Sequence, residues 1–198
     1  GAPDKGAFEY AGTLAPTSVV SRKTHGAAGT FDVDLQFGGI AGLECRTGGA
    51  GGNHQVIATF ATPVTIGSAS VTTGIGSVSN ASVNGSQVTL DLTGISNAQQ
   101  IVLTVSGAND GANTNNVIIP MRVLLGDTTG NIIVNASDVS QTKAQVGQAL
   151  TNSNFRNDVN ANGTINASDV TQVKSQVGMA VPIPLESAED VRNLKAVR

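Results

Sequence analysis

Two stretches of this chain carry oxygen-bearing side chains at a spacing that can gather a metal ion. The later one runs Asp158-Val-Asn160-Ala-Asn162-Gly-Thr164-Ile-Asn166-Ala-Ser-Asp169. It places side-chain oxygens at positions one, three, five, nine and twelve of a twelve-residue loop, with Gly163 at position six. A hard divalent cation needs roughly six to eight oxygens converging on one point, and this is the spacing of a calcium loop. In that geometry Asp158, Asn160 and Asn162 bind through side chains and Thr164 through its backbone carbonyl. Asn166 acts directly or through water, and Asp169 closes the loop with both oxygens. Ile165, at position eight, is expected to point inward.

An earlier copy begins at Asp127, and its ligand positions are Asp127, Thr129, Asn131, the carbonyl of Ile133, Asn135 and Asp138. Asp127 and Asp138 each lie 31 residues before their counterparts, and Asn135 to Gly147 aligns without gaps to Asn166 to Gly178. This is an internal duplication. In each copy Asn or Ser caps a helix with apolar positions at Val139 and Val146, or at Val170, Val173 and Val177, and a glycine closes it. Loop then helix, twice, with no helix leading in, resembles the dockerin module. The resemblance covers residues 126–181 and implies one calcium ion per loop and a cohesin-like protein partner. Ala136-Ser137 and Ala167-Ser168, at loop positions ten and eleven, match the pair through which dockerins read that partner, and ordinary first-turn residues would look the same.

The first loop departs from the family pattern at Thr129, where Asn or Asp is usual, and at Ile132, where Gly is usual. A β-branched residue held at positive φ costs on the order of 1 to 3 kcal/mol. Three outcomes stay open for this loop: weak binding, a different turn, or a packing relic that supports its twin. For both loops the metal-free alternative is a pair of Asx-rich helix-capping turns.

The elements that must position these loops divide the chain into an arm (1–16), a β-sandwich (17–125), the duplicated loop–helix domain (126–181) and a tail (182–198). Between Ser18 and Leu125 the dominant period is two: Phe31, Val33 and Leu35, then Val88, Leu90 and Leu92, then Ile101, Leu103 and Val105, each alternate with outward residues. Further strands are expected at Val19 to Thr24, Leu43 to Thr47, Gln55 to Ala61, Val64 to Thr72, Ser77 to Val83 and Val117 to Leu125. Eight or nine short strands predict an antiparallel sandwich of immunoglobulin-like or cohesin-like shape. The fold class is therefore mainly β, with a small α-helical calcium-binding domain. Val123-Leu124-Leu125 runs into Gly126-Asp127 without a tether, so the calcium domain is expected to be rigidly mounted. In the tail, Ser187-Ala-Glu-Asp190 reads as a capping box opening a short helix.

Composition bounds the function. Charged residues make up only 13% and net charge is −3, so neither nucleic acid nor an anionic membrane is favoured, and no stretch resembles a span for membrane insertion. The Gly, Ser, Thr, Asn and Val bias fits strands and tight turns on an extracellular protein, the dockerin resemblance implies a secreted or cell-surface protein of bacterial type, and an opening without Met reads as a piece of something longer. Cys45 is the only cysteine, expected as a small buried strand residue, with an intermolecular bridge as the sharper alternative. His25 and His54, the only histidines, stand in polar context, and without further His or Cys neighbours a transition-metal site is not expected. Asn109 to Asn116 reads as a long polar turn rather than a further calcium site. The whole arrangement, including the stretches Ser21 to His25 and Gly42 to Arg46, resembles the C-terminal region of large secreted bacterial proteins that carry dockerin-type repeats.

No nucleophile elbow, phosphate loop or paired carboxylate stands outside the metal loops. The expected function is a non-catalytic, calcium-stabilised module for assembly or surface attachment. Its partner is a cohesin-like domain or another copy of itself, added head to tail. A carbohydrate-binding accessory module is the alternative, disfavoured because the chain has no Trp and one Tyr for sugar stacking. Binding of calcium is expected to fold residues 126–181, with the sandwich folded on its own.

Overall fold

The computed structural model describes residues 14–35 and 41–182, so most of the N-terminal arm and the Ser187 capping box lie outside the described residues. Among the described residues, nine strands form two sheets. The five-stranded sheet has the order β2-β1-β4-β7-β6 and the four-stranded sheet β3-β9-β8-β5. The first is built from β1 (Ser18–Thr24), β2 (Thr30–Asp34), β4 (His54–Thr59), β6 (Ser77–Asn84) and β7 (Gln87–Thr93). The second holds β3 (Gly42–Glu44), β5 (Ser68–Thr73), β8 (Gln99–Asn109) and β9 (Thr114–Val123).

The period-two pattern becomes a packed face. Val88, Leu90 and Leu92 of one sheet meet Ile101, Leu103, Val105, Ile119 and Met121 of the other in a single buried cluster. Each side chain so buried contributes about 1.5–3 kcal/mol, and Leu14, ahead of the first strand, joins them. The polar run after Asn109 is a hairpin turn, in which the Asp110 carboxylate accepts from the amides of Ala112 and Asn113 at 2.9 and 2.7 Å.

One pairing departs from the antiparallel expectation. β3 runs parallel to β9, with Gly42 opposite Met121 and Glu44 opposite Val123. Parallel strands end at the same edge, and here both deliver the chain to the helical region: Leu124 N donates to Glu44 O at 3.0 Å and Gly126 N to Cys45 O at 2.9 Å.

Two helices follow, α1 (Ala136–Gln145) and α2 (Ala167–Ser175). Their packing against the sandwich shares residues in both directions. Phe155 belongs to the sandwich core and Leu150 packs on it, while Leu43 and Cys45 belong to a second cluster with Leu124, Val134, Val159, Val173 and Val181. The Cys45 thiol is buried, free and directed at the Arg156 carbonyl at 3.6 Å. Burial pushes it up to about 11, well away from thiolate reactivity. Among the described residues no helix is long and apolar enough to cross a membrane.

Candidate metal centre

Each loop is closed by the helix that follows it. Asn135 and Asn166 cap α1 and α2, and Asp138 and Asp169 complete capping boxes by accepting from the cap amides at 2.8 and 2.9 Å. Position twelve therefore has its orientation set by helix formation itself. At position one, Asp127 Oδ1 accepts from the amides of Gly130 (2.7 Å) and Asn131 (3.1 Å), and Oδ2 from Ile132 (2.7 Å). Asp158 is held alike, Oδ1 by Asn162 N at 3.1 Å and Oδ2 by Gly163 N at 2.8 Å. Position-three, -five and -nine oxygens are oriented by amides two residues on: Asn162 N to Asn160 Oδ1, Thr164 N to Asn162 Oδ1 and Ser168 N to Asn166 Oδ1, at 3.0, 2.9 and 2.7 Å.

The four aspartates are fully buried. Burial pushes Asp169 above the usual carboxylate range, and the charge of Asp158 adds to the push. Asp127 is raised first by burial and further by Asp138, against the amides of Ile132, Asn131 and Gly130 that favour its charge. Like-charged carboxylates withdrawn from water, ringed by amide, hydroxyl and carbonyl oxygens, are a donor set for a hard cation such as calcium. Among the described residues no three His, Cys, Asp or Glu cluster to hold a metal; each loop offers two carboxylates, and its remaining donors are neutral oxygens.

The first loop keeps the same turn as the second. Ile132 at position six has φ 67° where Gly163 has 95°, and position four is also left-handed in both, Gly130 at 77° and Ala161 at 57°. Each loop thus has one glycine and one strained residue, in opposite order. Thr129 makes the larger difference, since its hydroxyl lies 2.9 Å from Asp138 Oδ1 and 3.3 Å from Asp127 Oδ1, between the two carboxylates.

The duplication is expressed as reciprocal bonds. The glycine after α1 donates to the second loop, Gly147 N to Ile165 O at 2.9 Å, and the glycine after α2 donates to the first, Gly178 N to Val134 O at 2.9 Å. Val134 and Ile165, both at position eight, are buried beneath. Ala136, Ser137, Ala167 and Ser168 stand exposed on the first turns of the two helices.

With this geometry in hand, comparison with known families is decisive for one part of the chain. Residues 125–178 match the sequence profile of the Dockerin type I domain. No curated protein and no solved structure matches the chain. Dockerin domains bind calcium and dock on cohesin domains, and they are non-catalytic. The match covers both loops and both helices.

Sequence reading missed the residues that join this module to the sandwich. His25 and His54 were expected in polar surroundings, yet both are buried. His25 Nδ1 lies 2.8 Å from Asp158 Oδ2. The stretches Ser21 to His25 and Gly42 to Arg46 meet beside it: the Arg46 guanidinium donates to Glu44 Oε1 and Oε2 at 2.8 and 2.7 Å, and Ser21 Oγ donates to Glu44. The only signal for this contact was the clustering of Arg, Glu and His in two short segments of a chain otherwise poor in charge.

Proposed function

We propose that the chain is a secreted, non-catalytic scaffold module in which calcium orders the dockerin loops and the exposed Ala-Ser turns dock a protein partner. The observation that carries this reading is the pair of buried aspartate-ended loops, each clamped by its helix cap inside a segment that matches the dockerin family. In the second loop calcium would be held by Asp158, Asn160, Asn162, the carbonyl of Thr164, Asn166 and Asp169. In the first it would be held more weakly by Asp127, Thr129, Asn131, the carbonyl of Ile133, Asn135 and Asp138, because the Thr129 hydroxyl must first give up its bonds to the two carboxylates before it can face the ion. Calcium supplies charge neutralisation, not chemistry. The partner is a cohesin-like domain or a second copy of this chain, added head to tail.

Native mass spectrometry with millimolar calcium tests the metal, two bound ions being the expected result and none the result that removes the reading. Light scattering with and without calcium separates the partners. Calcium-dependent growth to large particles supports self-assembly, and a stable monomer that captures a cohesin domain supports the other arrangement. The carbohydrate alternative would gain if the protein were retained on polysaccharide. Its best location is a groove of about 620 Å³ on the five-stranded sheet, lined by Arg22, Gln55 and Asp91 among others. Arg22 and Asp91 there are already paired, with Asp32 and with Gln55, and none of the lining residues is a Phe, Tyr or Trp on which a sugar ring could stack.

A further inference from the structure

We infer that His25, a sandwich residue, is a positioning residue for the metal of the second loop, so that the ion's affinity depends on the β-sandwich. This rests on the calcium reading above. The ring is fully buried, with Nδ1 2.8 Å from Asp158 Oδ2 and Nε2 3.1 Å from Arg46 Nη1. A guanidinium has no acceptor, so Nε2 must accept, and the ring proton therefore sits on Nδ1 and is donated to Asp158. Arg46 is itself held in place: besides its two bonds to Glu44, Nη2 donates to Ser21 O at 2.8 Å and Nη1 to Phe31 O at 2.9 Å. Its guanidinium carbon lies 5.2 Å from the Phe155 ring centroid. The imidazole stands edge-on to Phe31 and Phe155, at 5.2 and 6.1 Å, and those two rings stack on each other at 5.3 Å. One tautomer and one ring orientation satisfy all of these contacts.

The consequence lies at the metal ligand. Asp158 Oδ2 takes two strong donors, Gly163 N and His25 Nδ1, whereas Oδ1 takes only Asn162 N at 3.1 Å. His25 thus occupies one oxygen of the position-one carboxylate and leaves the other as the better free acceptor, the state a monodentate ligand needs. Asp127 in the first loop has no histidine; its Oδ2 takes Ile132 N at 2.7 Å. Backbone packing reinforces the contact: a Cβ on Gly26 would overlap the carbonyl of Asn162, and one on Gly163 would come within 2.8 Å of His25 O. The chain Asp158–His25–Arg46–Glu44 therefore runs from the loop into the strands, and by linkage an ion in the loop stabilises the sandwich as much as the sandwich favours the ion. Outer-shell partners of this kind typically govern metal affinity by about 10- to 100-fold.

The test is a calcium titration of the intact chain by amide NMR, with the Gly163 amide reporting the second loop and the Ile132 amide the first. In His25→Leu the second-loop Kd should rise about 10- to 100-fold, with the first loop moving less than about threefold. His25→Asn, which keeps a donor near the Nδ1 position, should recover most of the loss. Unchanged second-loop affinity in His25→Leu, or equal weakening of both loops, overturns the inference while leaving the calcium reading intact. A Gly163 amide that ignores millimolar calcium in the unaltered protein overturns both. Should His25→Leu not fold, imidazole nitrogen shifts of the unaltered protein decide: an Nδ1–H tautomer whose signal moves with calcium upholds the inference, and an Nε2–H tautomer or an indifferent signal overturns it.

Discussion

The hydroxyl of Thr129 donates to the Asp138 carboxylate at 2.9 Å, crossing the space between the two ends of the first loop. In the second loop the corresponding Asn160 directs its amide outward to Ser168 Oγ at 2.7 Å. Thr129→Asn should therefore give the first loop the donor pattern of the second. Isothermal titration should show the weaker of two calcium events tightening about tenfold, equivalent to about 1.4 kcal/mol. A variant that leaves it unchanged would place the weakness elsewhere, at Ile132.

Removing the two position-one carboxylates should not be equivalent. Asp158→Ala leaves the His25 N–H buried without an acceptor, which costs about 1–3 kcal/mol beyond the lost metal. Asp127→Ala strands only backbone amides in a loop that is partly open. Chemical denaturation in chelator, where metal no longer contributes, should show the larger loss for Asp158→Ala; equal losses would argue against the His25 contact.

The loop glycines differ in what surrounds them. Gly163 has φ 95° and an added Cβ would approach His25 O to 2.8 Å, whereas Gly130 has φ 77° and its nearest neighbour, Arg156 Nη2, lies 4.0 Å away. Both alanine variants incur the left-handed penalty of about 1–2 kcal/mol. Only Gly163→Ala also pushes the loop off the sandwich, so its thermal midpoint should fall further, and an equal fall would show that the turn yields without strain.

Stability should depend on pH through His54. Burial lowers its pKa from 6.5 to about 4, against the raising influence of Glu44, and Nδ1 has no hydrogen-bond partner. The folded protein keeps the ring neutral where the unfolded chain would protonate it, so the contribution is complete above pH 6.5 and is lost as pH falls toward 4. The full span is on the order of 3 kcal/mol. Glu44, held below the usual carboxylate range despite its burial by the charge and hydrogen bonds of Arg46, adds a separate loss only below about pH 4.5. Urea unfolding at pH 7 and pH 5 should differ in the unaltered protein and differ much less in His54→Leu.

Calcium removal should be felt across the chain. Phe155 packs in the sandwich core and Cys45 in the module's cluster, so melting the loops alone would open both. Scanning calorimetry should show one transition that shifts down with chelator, by the equivalent of about 2.7 kcal/mol if free calcium had stood at 100 times its Kd. Two transitions, with the upper one indifferent to chelator, would mean that the sandwich stands alone, as the sequence without the interface implies.

Local chemistry was legible in the sequence wherever it depends on near neighbours. Donor spacing, the Asn caps and the closing glycines all act within a dozen or so residues, and the 31-residue repeat prints that local pattern twice; alternating apolar residues announced the strands because a pleat turns period into face. The parallel β3–β9 pair was not legible, because register and direction depend on which edges lie free once the sheets form. Nor was the fate of Ile132, whose positive φ is imposed by three amides converging on Asp127. Least visible was the meeting of His25 with Asp158, 133 residues apart. Sequence alone determined where the duplicated loops place their side-chain oxygens; only the tertiary structure decided which sandwich side chain turns toward one of them, because packing the module on the strands buries an arginine that leaves the imidazole one way to hold its proton.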